Sequence, residues 1–148
     1  MELNEVYFYM ILILLQVFGL LILTCTEDLK SKKHFLIYLK TSLIMILVGC
    51  IMELLDWNYL CPFECIFFTS TPFSLILTTS SIALIFKYIF KKEPFQVYKK
   101  ELSDGIWVKN KGNFEKNKFY YSFYSAIILI FPILLLTFFY FYFFKNAC

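Results

Sequence analysis

The stretch VYFYMILILLQVFGLLILT, residues 6–24, contains no charged side chain, and its only strongly polar member is Gln16. A helix rises about 1.5 Å per residue, so a run of this length crosses the roughly 30 Å of hydrocarbon in a bilayer. Glu2 and Glu5 precede it where a cleavable signal peptide would carry lysines, and no small-x-small cleavage site follows. We therefore expect a retained transmembrane helix.

Three further apolar blocks of similar length follow, at residues 35–55, 66–90 and 122–144. The chain of 148 residues is 60% hydrophobic and 17% charged, whereas soluble domains average roughly a quarter charged residues. Its apolar residues are grouped in blocks, which distinguishes a membrane protein from a very apolar soluble one. The sequence predicts an all-α membrane protein, in which residues 1–148 form a single compact bundle of four transmembrane helices.

The positive charge of the chain lies almost entirely on one side of the predicted bundle. All fourteen basic residues are lysines, and all but Lys145 lie in or beside the turn 26–34 and the long loop 91–121. The positive-inside rule places this turn and loop in the cytoplasm, and both termini and the connection 56–65 outside. We therefore expect a multi-pass protein of the cell inner membrane, with its lysines against lipid headgroups rather than nucleic acid.

Within the long loop, the spacing of apolar residues over 95–102 predicts a short helix that lies in the headgroup layer. The segment 106–114 is compatible either with a small hairpin or with an ordered loop.

The third apolar block is rich in hydroxyl side chains. Four of them recur at intervals of three and four residues: Ser70, Ser74, Thr78 and Ser81. This spacing places the four on one face of a helix, and Thr79 faces elsewhere. Small and hydroxylated residues allow neighbouring helices to approach closely, so the stripe predicts a helix-packing face. A polar conduit is the alternative interpretation.

The predicted outer connection ends in Cys61-Pro-Phe-Glu-Cys65. Three intervening residues differ from the two of thioredoxin-like redox motifs, and no second pair stands at metal-ligand spacing. An oxidising exterior permits a structural disulfide between Cys61 and Cys65, and free thiols are the alternative. The sequence contains no Ser-His-Asp set, glycine-rich phosphate loop or intramembrane carboxylate pair, so it predicts no enzyme, cofactor or metal site.

A resemblance to a known family begins at Phe86-Lys-Tyr-Ile-Phe-Lys-Lys-Glu-Pro-Phe95, which is followed by a basic loop and a proline-centred last span, Tyr124 to Phe144. In this pattern, residues 86–144 resemble the small, polytopic, lysine-rich immunity proteins of pore-forming colicins and bacteriocins. The chain differs from them by an additional leading span and a longer loop. The resemblance implies that the spans bind the membrane-inserted helices of a toxin within the inner membrane.

Two other hypotheses stay open from the sequence. One is a non-catalytic accessory subunit of a larger membrane complex, which would dock through the hydroxyl face of the third span. The other is a membrane protein of thiol-disulfide exchange that acts through Cys61. Under all three hypotheses the protein contacts the lipid bilayer, and none of them requires a nucleic acid.

The predicted orientation is tested by cysteine labelling in intact cells. A membrane-impermeant thiol reagent should modify Cys148 from outside, after reduction if this cysteine is disulfide-bonded. Peptide mapping identifies the labelled residue. Labelling of Cys148 only after permeabilisation would overturn the orientation without affecting the number of spans.

Overall fold

The computed structural model describes residues 3–24, 26, 28–55, 57, 59–91, 93–94 and 118–144. Within these residues the chain forms four long α-helices and one short 3-10 turn, and it contains no strand. The elements in chain order are α1 (Leu3–Thr24), the 3-10 turn (Asp28–Lys30), α2 (Lys32–Leu54), α3 (Glu64–Phe90) and α4 (Lys118–Phe144).

The prediction of an all-helical chain with four spans is confirmed, because all four helices are long and apolar enough to cross a membrane. All four begin two to four residues before the predicted apolar blocks, at Leu3, Lys32, Glu64 and Lys118. A helix continues beyond the hydrocarbon edge where lysine and aromatic side chains reach the headgroups. The predicted helix over 95–102 and the segment 106–114 lie outside the described residues.

Helix α3 is the centre of the bundle, and α1, α2 and α4 each pack against it. The chain alternates in direction, so α1 and α3 run parallel while α2 and α4 run back. Buried residues of α3 recur at spacings of three, four and seven: Cys65, Thr69, Pro72, Ile76, Thr79 and Phe86. This is the repeat with which one helix packs along another.

The hydroxyl stripe predicted as the packing face is not the face that α3 buries most deeply. Thr69 and Thr79 are fully buried, whereas Ser81 is exposed and Ser70 is only partly buried. Because successive residues are about 100° apart around a helix, the buried seam and the stripe lie on nearly opposite faces of α3. The expectation that Thr79 faces away from the neighbouring helices is therefore wrong.

Helices α2 and α3 are in close contact where Gly49 faces Thr69. A Cβ atom added to Gly49 would lie 2.9 Å from Cβ of Thr69, closer than real Cβ atoms approach. Because that atom is attached directly to the backbone of α3, a change of side-chain rotamer does not relieve the clash. Gly49 is thus required by the short distance between the helices rather than by its backbone conformation.

The two ends of the bundle have different cores. We call the end that holds Lys30 and Lys87 the lysine end, and the opposite end the Glu64 end. At the lysine end, aromatic residues of α4 pack against α3 in a cluster of Ile82, Phe86, Tyr120, Tyr121, Tyr124 and Ile128. At the Glu64 end, α1, α2 and α3 meet in a cluster of Phe8, Leu12, Met52 and Cys65.

The outer surface of the four helices is apolar. Large aliphatic side chains such as Leu14, Leu47, Leu84 and Leu134 are all well exposed. A soluble protein rarely exposes contiguous apolar surface of this extent, whereas a bilayer solvates it.

The close approach of α2 and α3 generates a prediction about two glycines. Gly49→Ala should lower the free energy of unfolding in detergent by about 2 kcal/mol, because the added methyl group overlaps Thr69. Gly19→Ala is the matched control, since its Cβ would lie 3.3 Å from Cδ1 of Leu75, the far end of a flexible side chain. Equal losses for the two variants would contradict the assigned contact.

Candidate functional site: a lateral groove between α1 and α4

A groove of about 590 Å³ separates α1 from α4 in the half of the bundle nearer the Glu64 end. Both helices pack on α3, which forms the floor of the groove. Its lining residues are Gln16, Gly19, Leu20 and Leu23 of α1, Phe67, Phe68, Thr71 and Leu75 of α3, and Ile133, Leu136, Thr137, Tyr140 and Phe141 of α4. The walls are therefore mainly apolar, with a few polar groups.

The position of the groove follows from how α4 is attached to α3. At the lysine end, Tyr124 and Ile128 are buried against Ile82 and Phe86. From Ile133 onward most side chains of α4 are exposed. Over this stretch α4 turns most of its side chains outward, and Leu136 packs against the cluster of Ile22, Leu23, Leu75 and Ile76.

A hydrogen bond to a buried carboxyl group fastens the far end of α4. The hydroxyl of Tyr140 donates to Oε1 of Glu64, and the backbone N–H of Cys61 donates to Oε2 of the same side chain at 3.1 Å. The ring of Phe67 packs against those of Tyr140 and Phe144, with centroids 5.8 and 5.4 Å apart. These contacts close the groove at the Glu64 end.

The floor of the groove contains a polar contact that originates in Pro72. Proline has no backbone N–H, so the carbonyl of Phe68, four residues earlier, lacks its usual helical partner. Nε2 of Gln16 donates to this carbonyl at 2.8 Å from α1. The hydroxyl of Thr71 lies 2.8 Å from the same carbonyl and 3.1 Å from Oε1 of Gln16, and its single hydrogen serves one or the other.

The amide of Gln16 keeps unused hydrogen-bonding capacity. A side-chain amide has two donor hydrogens and two acceptor sites. Within the described residues Nε2 donates only to Phe68, and Oε1 lies near only Thr71. The half-buried amide therefore retains a donor and an acceptor at the groove. Thr137, by contrast, donates to Ile133 on its own helix at 2.8 Å.

Acidic side chains at the ends of α2 and α3 hold the backbone of the connection between these helices. Glu53 accepts the N–H of Phe63 at 2.9 Å, and Phe63 has a left-handed backbone with φ of 66°. Such a conformation is unfavourable for a residue with a side chain, so the hydrogen bond helps to hold this bend at the start of α3. Glu64 is buried, as described above. Asp56 lies outside the described residues.

The predicted disulfide between Cys61 and Cys65 is wrong. Cys61 is disulfide-bonded, whereas Cys65 and Cys50 are free thiols. Cys65 lies in the first turn of α3, where its side chain is completely buried among Phe8 and Met52. Cys61 precedes the helix, and the two cysteines of this segment are not bonded to each other.

The sequence-predicted residues and the groove coincide only in part. None of Ser70, Ser74, Thr78 and Ser81 lines the groove. Gln16 was recognisable as the one strongly polar residue of its span, and Pro72 as a proline within a helix. Together these two residues signal the contact in the groove. Proline leaves one backbone carbonyl without its helical donor, and in hydrocarbon that carbonyl needs a donor from a neighbouring helix. Among the described residues, no group of three or more His, Cys, Asp or Glu side chains is placed to hold a metal ion.

Compared with protein-family models, with curated proteins and with solved structures, the chain finds no match in any of the three. Its function must therefore be inferred from its own residues.

The polar contact predicts an energetic coupling between Gln16 and Pro72. Gln16→Leu should lower the free energy of unfolding by about 1 kcal/mol, because the Phe68 carbonyl then loses its donor from α1. In a Pro72→Ala background the cost should be smaller, since position 72 regains an N–H that bonds this carbonyl. A double-mutant cycle in detergent measures the difference.

Thr137→Val is the control for this cycle, because its hydroxyl bonds only within α4 among the described residues. Its effect should be the same in both backgrounds. An equal cost of Gln16→Leu with and without Pro72 would contradict the assignment of the carbonyl as the shared acceptor.

Proposed function

We propose that this chain is a multi-pass inner-membrane protein that binds a membrane-inserted helix of a pore-forming toxin, and thereby acts as an immunity protein. The observation that carries the proposal is the groove between α1 and α4. It opens sideways from a bundle whose surroundings are apolar, so its natural occupant reaches it from within the bilayer. The resemblance of residues 86–144 to immunity proteins of pore-forming bacteriocins supports the same class of partner.

The dimensions of the groove suit one stretch of a helix. Its lining on α4 extends from Ile133 to Phe141, which corresponds to about 12 Å at 1.5 Å per residue. That length equals about two helical turns. A partner helix would therefore insert one ridge of side chains between α1 and α4 while its other faces stay in contact with lipid.

The polar groups of the groove supply selectivity. Between lipid and protein there is no difference in hydrophobicity, so helices associate in membranes through packing and through hydrogen bonds. The unused donor and acceptor of Gln16 would favour a partner helix that carries a small polar side chain at the matching height. The rings of Tyr140 and Phe141, which line the groove on α4, add a shape that a partner must fit.

The accessory-subunit hypothesis predicts a resident partner helix in place of a toxin helix. In its original form it placed the docking surface on the hydroxyl stripe of α3. Of that stripe only Ser81 is exposed, while Ser70, Ser74 and Thr78 are partly covered within the bundle. The groove therefore offers the more open surface for either kind of helix.

The experiment expresses the chain in a sensitive host and challenges the cells with pore-forming bacteriocins, including any that is encoded beside this chain. Wild-type protein should protect the cells without altering receptor binding of the toxin. Leu20→Trp should reduce protection by about tenfold in lethal dose, because a larger ring in the groove obstructs the partner helix. Leu47→Trp is the matched control: both leucines are similarly exposed, at 60% and 61%, but Leu47 does not line the groove.

Equal protection by the two variants, at equal abundance in the membrane, would show that the groove is not the binding surface. No protection by the correctly inserted wild-type protein would contradict the immunity function. In that case, co-purification of a resident membrane protein that is lost in Leu20→Trp would support the accessory-subunit hypothesis.

A further inference from the structure

A second cavity, of about 600 Å³, lies at the lysine end and is separate from the groove. The 3-10 turn, the start of α2, the end of α3 and the start of α4 surround it. Its lining residues are Thr26, Leu29, Lys30, Phe35, Thr79, Ser80, Ala83, Leu84, Lys87, Glu93, Pro94, Tyr124 and Ile128. The cavity therefore combines a basic rim with an apolar wall.

Thr26 contributes an unsatisfied polar atom to this cavity. Its side chain is only 6% exposed, and its hydroxyl oxygen has no hydrogen-bond partner within the described part of the chain. A buried hydroxyl without a partner destabilises a protein, because it has lost its hydrogen bonds to water and gained none in return. The other buried threonines of the bundle bond to backbone carbonyls, as Thr79 does to Leu75 at 2.7 Å. Thr26 is thus placed to bond a molecule that enters the cavity.

The rim of the cavity carries positive charge. Nζ of Lys87 forms an ion pair with Glu93 at 3.2 Å, and the two side chains are 60% and 80% exposed. Nζ of Lys30, which also lines the cavity, donates to the backbone carbonyl of Pro94. An exposed ion pair contributes little to stability. An anion that enters the cavity can therefore compete with Glu93 for Lys87.

We propose that this cavity binds an anionic phospholipid, with the headgroup phosphate between Lys30, Lys87 and Thr26 and an acyl chain along the apolar wall. The wall continues from Leu29 and Phe35 to Leu84 and Ile128, towards the middle of the spans. A free phosphate ion would use the basic rim but would leave this wall uncovered. Basic pockets between transmembrane helices on the lysine-rich side are suited to phospholipid headgroups. This inference does not depend on the proposed function.

The experiment uses the full chain, purified in a neutral detergent and titrated with short-chain phosphatidylglycerol. Binding is measured by native mass spectrometry and by the rise in melting temperature. Lys87→Gln should weaken binding by about fivefold, because a lysine near a headgroup contributes roughly 1 kcal/mol. Lys91→Gln is the matched control: Lys91 is exposed near the end of α3 and does not line the cavity.

The melting temperature of Thr26→Val provides a second test, because its expected change differs from that of a misfolded variant. Without lipid this variant should melt at a higher temperature than the wild type, because a methyl group replaces a hydroxyl that lacks a partner. With phosphatidylglycerol its gain in melting temperature should be smaller than that of the wild type. An unchanged gain would remove Thr26 from the proposed site.

Titrations with two other ligands, phosphatidylcholine and inorganic phosphate, identify the class of ligand. Phosphatidylcholine that binds as tightly as phosphatidylglycerol would overturn the requirement for an anionic lipid. Inorganic phosphate that produces the same rise in melting temperature would show that the site takes a free anion. Equal losses in Lys87→Gln and Lys91→Gln would show diffuse surface attraction and would overturn the proposal.

Discussion

In hydrocarbon a backbone carbonyl without a hydrogen-bond partner is costly, and Pro72 creates such a carbonyl at Phe68, in the second turn of α3. The side-chain amide of Gln16 supplies the donor from α1. This contact sets the height of α1 against α3 and explains the one strongly polar side chain of the first span. It also brings a polar group to the floor of a groove that is otherwise mainly apolar, where a partner helix can use it.

The remaining arrangement follows from α3 being the helix on which the other three pack. On the side of α2 the contact is continuous and close, with Gly49 against Thr69. On the other side α4 is held by aromatic packing at the lysine end and by Tyr140 and Glu64 at the opposite end. Between those two attachments Leu136 packs against the cluster of Ile22 and Leu75, and the groove remains between α1 and α4. A lateral opening is therefore built into the fold, and its width depends on where α4 is fastened.

The two candidate sites differ in the medium that each one faces. The groove is mainly apolar and opens to the middle of the bilayer, so it suits a helix. The cavity at the lysine end combines two lysines with a threonine hydroxyl that has no partner among the described residues, so it suits a phospholipid. A lipid bound there would touch the 3-10 turn, α3 and α4 together. It would thereby support the lysine end, which is also the end at which α4 is anchored to α3.

The sequence by itself determined the class of protein and the four spans, because a bilayer requires long apolar helices and the chain contains four of them. It did not determine which face of each helix is buried, since lipid and protein neighbours are equally apolar and leave no amphipathic pattern to read. For this reason the hydroxyl stripe from Ser70 to Ser81 predicts the wrong packing face. The tertiary structure buries the seam of Thr69 and Thr79 instead. Tertiary structure also decided that Cys65 is enclosed as a free thiol and that Gln16 meets the carbonyl freed by Pro72. Both outcomes depend on distances between helices that no local pattern in the chain encodes.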